Sequence, residues 1–194
     1  MKNSLLDLGC FFDKTNITLA DGSTRSLDRL TTGDQVLVYS SSGQIQQSRV
    51  LAIFHHQRSS VRFLDIYTTD NQQPLRLTPT HSILTKKNSD KQSSFDYNFA
   101  YNIEINDWIL SSKLEPIQII EIKEIILYNQ TISTPLTFEG NIFVNNLIGS
   151  CYATFNHRFM HLLTTPIRYW YQIESFSQIN SLFIHFIDLY SKLN

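Results

Sequence analysis

The run RSLDRLTTGDQVLV at residues 25–38 returns in altered form as FAYNIEINDWILSS at residues 99–112. Each copy sets an apolar residue, another three further on, and then a Gly-Asp or Asn-Asp pair ahead of two aliphatics. Asp34 and Asp107 are the equivalent positions. Each copy is followed by a further apolar stretch, SRVLAIF at 48–54 and IQIIEI at 117–122. A strand–turn–strand unit seen twice predicts a pseudo-two-fold symmetric all-β module. A Gly-Asp turn before a strand is common by itself, so the weight rests on the repetition.

The neighbouring sequence extends the pattern. NITLADGSTRSL (16–27) reads as strand, Asp-Gly turn and strand, and DQVLVYSSSGQIQQSRVLAIF (34–54) as two strands around a Ser/Gly turn. VRFLDIYTT (61–69) and PLRLTPTHSIL (74–84) read as further strands. β-Branched and aromatic residues dominate these runs, and none is long enough for an ordinary helix. KKNSDKQSS (86–94) is a polar loop whose lysines read as solvated surface.

After Cys151 the character changes. Residues 155–194 are rich in aromatics and hold only two acids, Glu174 and Asp188. Leu182, Phe186, Leu189 and Leu193 fall on helical spacing, with His185 and Asp188 interrupting the run. Such a segment is a helical cap on the β core or an amphipathic surface that meets lipid. The predicted division is 1–9 as the end of an upstream segment, 10–154 as the β module and 155–194 as a partly helical tail.

Composition sets the outer bounds. A chain of 194 residues with 42% hydrophobic and 17% charged residues can bury a core of its own. A net charge of −1 gives no electrostatic case for nucleic acid as a partner. Two cysteines, Cys10 and Cys151, make neither a disulfide framework nor a zinc site. MKNSLLDLG has an aspartate inside its apolar run and makes a poor signal peptide. Asn16-Ile17-Thr18 and Asn129-Gln130-Thr131 match the glycosylation acceptor pattern, a weak pointer to the secretory pathway.

Two stretches carry chemistry. In LDLGCFF (6–12), a cysteine follows a glycine ahead of every long structured run. In LRLTPTHSIL (75–84), Pro79 steers Thr78 away from the α region, so a hydroxyl and an imidazole stand three residues apart at a strand end. Taken alone, His81 is more often a packed or surface histidine than a catalytic one. Beside Gly9-Cys10 the balance changes. A thiol can attack the carbonyl that precedes it and turn the peptide bond into a thioester. The departing amine needs a proton, which a histidine supplies near neutral pH. The oxyanion needs a donor, and a hydroxyl or backbone N–H can serve. Cys, His and Thr are a sufficient minimum for intramolecular acyl transfer.

GCF at 9–11, TPTH at 78–81 and PLTFEGNIFVNNLIGSCYA at 135–153 resemble the carboxy-terminal autoprocessing domain of Hedgehog proteins, of the Hint class shared with inteins. LADG and TTGDQVL, and the spacing between motifs, agree as well. The resemblance covers nearly the whole chain from Gly9. It implies a Hint-type β disk of two pseudo-symmetric halves, and it implies that Cys10 attacks Gly9 with Thr78 and His81 assisting. In Hedgehog proteins the thioester is then cleaved by the hydroxyl of cholesterol, so a sterol is the implied co-substrate and no cofactor is. MHLLTTPIR (160–168) resembles the start of the family's sterol-recognition segment, which puts His161, Pro166, Arg168 and Trp170 forward as lipid-binding residues and the membrane as a partner of the tail. The resemblance also implies the secretory pathway. Cys151 matches a cysteine the family holds near its active site; a small buried hydrophobe is the equally good alternative.

One departure matters. Where Hedgehog proteins place an aspartate as general base on the sterol hydroxyl, this chain reads IFHHQR, with His56 in that position. An imidazole can still accept a proton, organise water, or line a pocket for a different alcohol. Asp13, where the family often has proline, is expected to matter little. The readings left open are transfer of the upstream acyl group to a sterol or other hydroxyl, the same first step ending in hydrolysis, and a silent remnant that binds lipid or a partner. Splicing is set aside, because Asn145-Asn146 follows valine and Asn194 ends the sequence.

Overall fold

The computed structural model describes residues 10–70, 73–89, 94–153 and 155–176. Gly9 and the helical spacing read at 182–193 lie outside the described residues. The chain runs through β1 (Phe11–Phe12), β2 (Asn16–Thr18), β3 (Thr24–Ser26), β4 (Gln35–Tyr39), β5 (Ile45–Thr68) and β6 (Leu75–Leu77). It continues through β7 (His81–Lys86), β8 (Asp96–Phe99), β9 (Trp108–Leu110), β10 (Pro116–Thr137), β11 (Asn141–Val144) and β12 (Leu147–Ala153). Two helices, α1 (His157–Leu163) and α2 (Thr165–Phe176), follow. The fold is mostly β, with a short helical carboxy-terminal segment.

The internal repeat is a repeat of hydrogen bonds. Short 3-10 turns, Leu27–Arg29 and Ala100–Asn102, end where Leu30 and Ile103 donate their N–H back three residues. Gly33 and Asn106 then take left-handed backbone, φ 98° and 74°, a conformation open to glycine and tolerated by asparagine. The Asp34 carboxylate accepts from the Thr31 N–H at 2.7 Å, and that of Asp107 from the Glu104 N–H at 2.9 Å. Their carbonyls receive the N–H groups of Val50 and Ile119, each at 2.9 Å. Arg25 pairs with Asp34 and Lys87 with Asp107. This chemistry explains why both copies keep an aspartate after a residue that accepts positive φ.

SRVLAIF and VRFLDIYTT, read as separate strands, are one strand of 24 residues, β5. The HHQRSS between them is polar but holds no glycine, proline or asparagine to turn the chain. β5 pairs antiparallel with β10 from Thr68↔Ile119 to Val50↔Thr137, so each exposed polar segment finds its partner in the other arm. LRLTPTHSIL, read as strand with a strand end at Thr78, divides at a turn into β6 and β7.

The short β1 is threaded into the middle of this sheet. Phe11 pairs with Ser133 of β10 and with Leu77 of β6, and its side chain is fully buried in the main core among Ile17, Leu75, Leu77 and Ile83. Cys10, one residue earlier, faces the other way into a small cluster with Val61, Phe63 and Ile132. Cys10 and Phe11 are thereby held at the centre of the molecule.

Candidate active site

Cys10 and Thr78 are joined by two hydrogen bonds. The Thr78 N–H donates to the Cys10 carbonyl at 3.1 Å, and the Cys10 N–H donates to Thr78 Oγ1 at 3.0 Å. Thr78 and His81 stand either side of a tight turn, closed by the His81 N–H on the Thr78 carbonyl at 3.0 Å. His81 is fully buried and its ring lies on Phe11, centroids 4.0 Å apart. Its Nε2 is 2.8 Å from the Ser150 carbonyl. A carbonyl only accepts, so Nε2 carries a proton.

The Cys10 thiol accepts a hydrogen bond from Thr134 Oγ1 at 3.2 Å. Burial pushes it up to about 11, against smaller downward pulls from Thr134 and from the Arg58 guanidinium. It opens on a cavity of about 280 Å³ shared with His56 and Cys151. Phe54 and His56 face this cavity together because strand residues two apart share a face. Leu136, Met160 and Ile167 line the rest, with Thr134, Tyr152 and Thr164. One wall is thus the sheet and the other is the helical tail. Cys151 is buried, with Thr137 Oγ1 3.6 Å from its sulfur, and burial pushes it up to about 12. Both cysteines are free thiols.

The tail residues divide. Arg168 turns inward and is 3% exposed. Its guanidinium donates to the Phe138 carbonyl, to the His161 carbonyl at 2.6 Å and to Thr165 Oγ1 at 2.9 Å, fastening α2 to α1 and to the end of β10. His161 is also engaged, with Nδ1 3.1 Å from the Tyr152 hydroxyl. Arg168, put forward as a lipid-binding residue, is placed here as an anchor between α2, α1 and the end of β10. Pro166 sits in the first turn of α2, where a missing N–H costs nothing. Trp170 is outward, on an exposed apolar face with Phe159, Leu162, Leu163 and Ile167.

Three features were not singled out from the sequence, although Ser150 lies inside the stretch 135–153 that carries the resemblance. Thr134 reaches Cys10 across 124 residues of sequence. Ser133 donates to Asp13 and lies 2.7 Å from His55 Nδ1, so Asp13 takes part in a partly buried polar chain although little was expected of it. Ser150 joins His81 to His157 through its two oxygens. A second cavity, about 590 Å³, lies beyond α1 among Tyr39, Asp96, Tyr97, Glu139 and His157, and Cys10 does not line it.

The model of the Hint module family matches residues 3–194. The Tiggy-winkle hedgehog protein of Danio rerio is 30% identical over 165 residues, covering 82% of this chain and 39% of that protein. Protein hedgehog of Drosophila virilis is 27% identical over 172 residues, covering 86% of this chain and 35% of its own length. The chain therefore spans little more than a third of these relatives. Among solved structures, a bacterial intein-like domain from Clostridium thermocellum superposes with a TM-score of 0.62 at 15% identity, over 73% of this chain and 97% of that one. A DnaB intein from Synechocystis gives 0.59 at 14% identity, over 76% and 99%.

Proposed function

The chain belongs to the Hint family, in its Hedgehog-type autoprocessing form, and from that premise we propose that its substrate is its own upstream segment, joined at Gly9-Cys10. Cys10 Sγ bonds to the Gly9 carbonyl carbon, the bond from that carbon to the Cys10 nitrogen breaks, and a thioester remains. The thiol gives up one proton and the departing nitrogen gains one, so the step is proton-neutral overall. Because the Nε2–H of His81 is committed to the Ser150 carbonyl, Nδ1 is the nitrogen left to work: it takes up the proton the thiol gives up and passes it to the departing nitrogen. The observation that carries this reading is the 3.0 Å bond from the Cys10 N–H to Thr78 Oγ1. The nitrogen that must leave rests on a hydroxyl oxygen that stabilises it as it gains positive charge.

For the second step we propose an apolar alcohol of the sterol class as acceptor. Its hydroxyl would enter the cavity shared by Cys10 and His56 and pass its proton to His56. The alcohol oxygen bonds to the thioester carbon, the carbon–sulfur bond breaks, and Cys10 takes the proton back. Phe54, Leu136, Met160 and Ile167 offer such a molecule an apolar lining, and the outward face of α1 and α2 offers a route from a membrane. The scheme needs no cofactor, and it operates in the secretory pathway on a longer precursor.

The test is a reporter domain fused upstream of Gly9, incubated with dithiothreitol, with cholesterol, or in buffer, and weighed after release. Thiol-dependent release that vanishes in Cys10→Ala supports the thioester. A mass gain of one sterol supports the acceptor, whereas a gain of water alone moves the reading to hydrolysis. His56→Ala should keep release by dithiothreitol and lose transfer to the alcohol. No release in any condition leaves a binding remnant.

A further inference from the structure

We propose that His157, on the first helix of the tail, is a positioning residue for His81, acting through Ser150, so that docking of the tail governs the acyl shift as well as the acceptor site. The inference rests on the self-processing reading above.

Ser150 is fully buried and its polar groups are committed in three directions. Its carbonyl receives His81 Nε2 at 2.8 Å. Its hydroxyl oxygen accepts the Tyr152 N–H at 2.8 Å and lies 2.8 Å from His157 Nδ1. With one lone pair of that oxygen taken by Tyr152, we assign the hydroxyl proton to His157 Nδ1, which places the proton of the neutral imidazole on Nε2. Ser150 cannot turn without breaking one of these bonds, and turning it would carry the carbonyl away from His81.

His157 is itself fixed. Its ring stacks on Tyr97 at 3.6 Å and 11°, and lies parallel to His161 at 5.7 Å. Tyr97 belongs to β8, which pairs with β7 at Leu84, and β7 begins at His81. The groups facing His157 are Tyr97 from β8, His81 from β7, Ser150 and Tyr152 from β12, Arg158 and His161 from α1 and Arg168 from α2. Burial, reinforced by His161 and Arg168, lowers its pKa to about 3, so it stays a neutral acceptor wherever His81 works. The tail helix thus grips the same residue that orients the catalytic imidazole.

The experiment uses the full chain with a reporter upstream of Gly9 and follows dithiothreitol-dependent release against pH. His157→Phe keeps the stack on Tyr97 and removes the acceptor. His157→Asn restores an acceptor near the place of Nδ1. Ser150→Ala removes the hydroxyl and keeps the carbonyl. His157→Phe and Ser150→Ala should each slow release on the order of tenfold and displace its pH profile, as a small misplacement of a catalytic group does. His157→Asn should recover most of the rate. Adding His157→Phe to Ser150→Ala should cost nothing more, because both cut one link. An unchanged rate and profile in His157→Phe, or full additivity in the double variant, overturns the proposal. If His157→Phe fails to fold, Ser150→Ala decides alone, and a wild-type rate there overturns it. No release from the unmodified chain would take the self-processing reading down as well, whereas normal release with silent variants removes only this inference.

Discussion

Cys10 and Thr78 hold each other through their backbones, each donating its N–H to the other residue, one to a carbonyl at 3.1 Å and one to a side-chain hydroxyl at 3.0 Å. The second bond is the one a substitution can remove alone. Thr78→Val keeps the shape and the Thr78 N–H but loses the oxygen, and should slow thiol-dependent release by roughly 10- to 100-fold. Thr78→Ser keeps the oxygen and should stay within about threefold of the parent. Equal rates for valine and serine would remove Thr78 from the mechanism.

Gly149 is a separate control on the imidazole. A Cβ there would stand 2.6 Å from Phe11 Cζ and 2.9 Å from Cε1, and the same Phe11 ring supports His81. Gly149→Ala must therefore push that ring inside a filled core, at a cost of about 1–3 kcal/mol. The expected result is a lower midpoint in urea together with slower release. Loss of stability without any change in release would show that Phe11 does not place His81.

What was legible and what was not divides by distance along the chain. The duplicated turn was readable because its chemistry is local: Gly33 or Asn106 supplies positive φ, and the following aspartate caps an N–H three residues back. GCF and TPTH were readable because residue types in sequence carry their chemistry with them. The length of β5 was not, because polar HHQRSS looks like a loop until β10 is known to run alongside it. The contacts of Thr134, Ser133 and Ser150 were invisible for the same reason, since hydroxyl residues in strands are ordinary and only pairing brings these to Cys10, His55 and His81. The inward turn of Arg168 was not legible either, because nothing local announces the Phe138 and His161 carbonyls that draw it in.

The two equivalent aspartates should differ in worth. Asp107 has a side chain 3% exposed, and accepts from the Glu104 and Asn88 N–H groups and from Lys87. The Asp34 side chain is 20% exposed, and pairs with a partly exposed Arg25. For both, burial opposes the charge, but the backbone bonds and the neighbouring cation outweigh it and hold the carboxyl below its ordinary range. Asp107→Ala leaves two part-buried N–H groups and Lys87 without their carboxylate and should cost about 1–3 kcal/mol. Asp34→Ala, where water can replace the lost partner, should cost about 1 kcal/mol or less. Urea melts of the two variants give the comparison, and equal losses would mean that the second copy gains nothing from its burial.

The tail should come away from the disk in acid before the disk itself gives way. His157 is lowered to about 3 and His161 to about 4, in both cases by burial first and by neighbouring positive charge second. Each is neutral when docked and gains a proton more readily when released, at an ordinary value of 6.5. Docking is therefore fully stable above about pH 6.5 and weakens as the pH falls toward 4 and then 3. The depressed carboxylates of Asp34 and Asp107 support the disk above their ordinary value of 3.8 and begin to fail only below it. Between pH 6 and 4 docking of the two histidines weakens while Asp34 and Asp107 still support the disk. In a Trp108→Phe background, Trp170 on α2 should report this as a fluorescence change over that interval, with the far-ultraviolet β signal unchanged. Replacing both histidines by phenylalanine should move the change below pH 4. A fluorescence change that tracks the β signal would mean that tail and disk unfold as one cooperative unit, with Arg168 binding them too tightly for the histidines to part them.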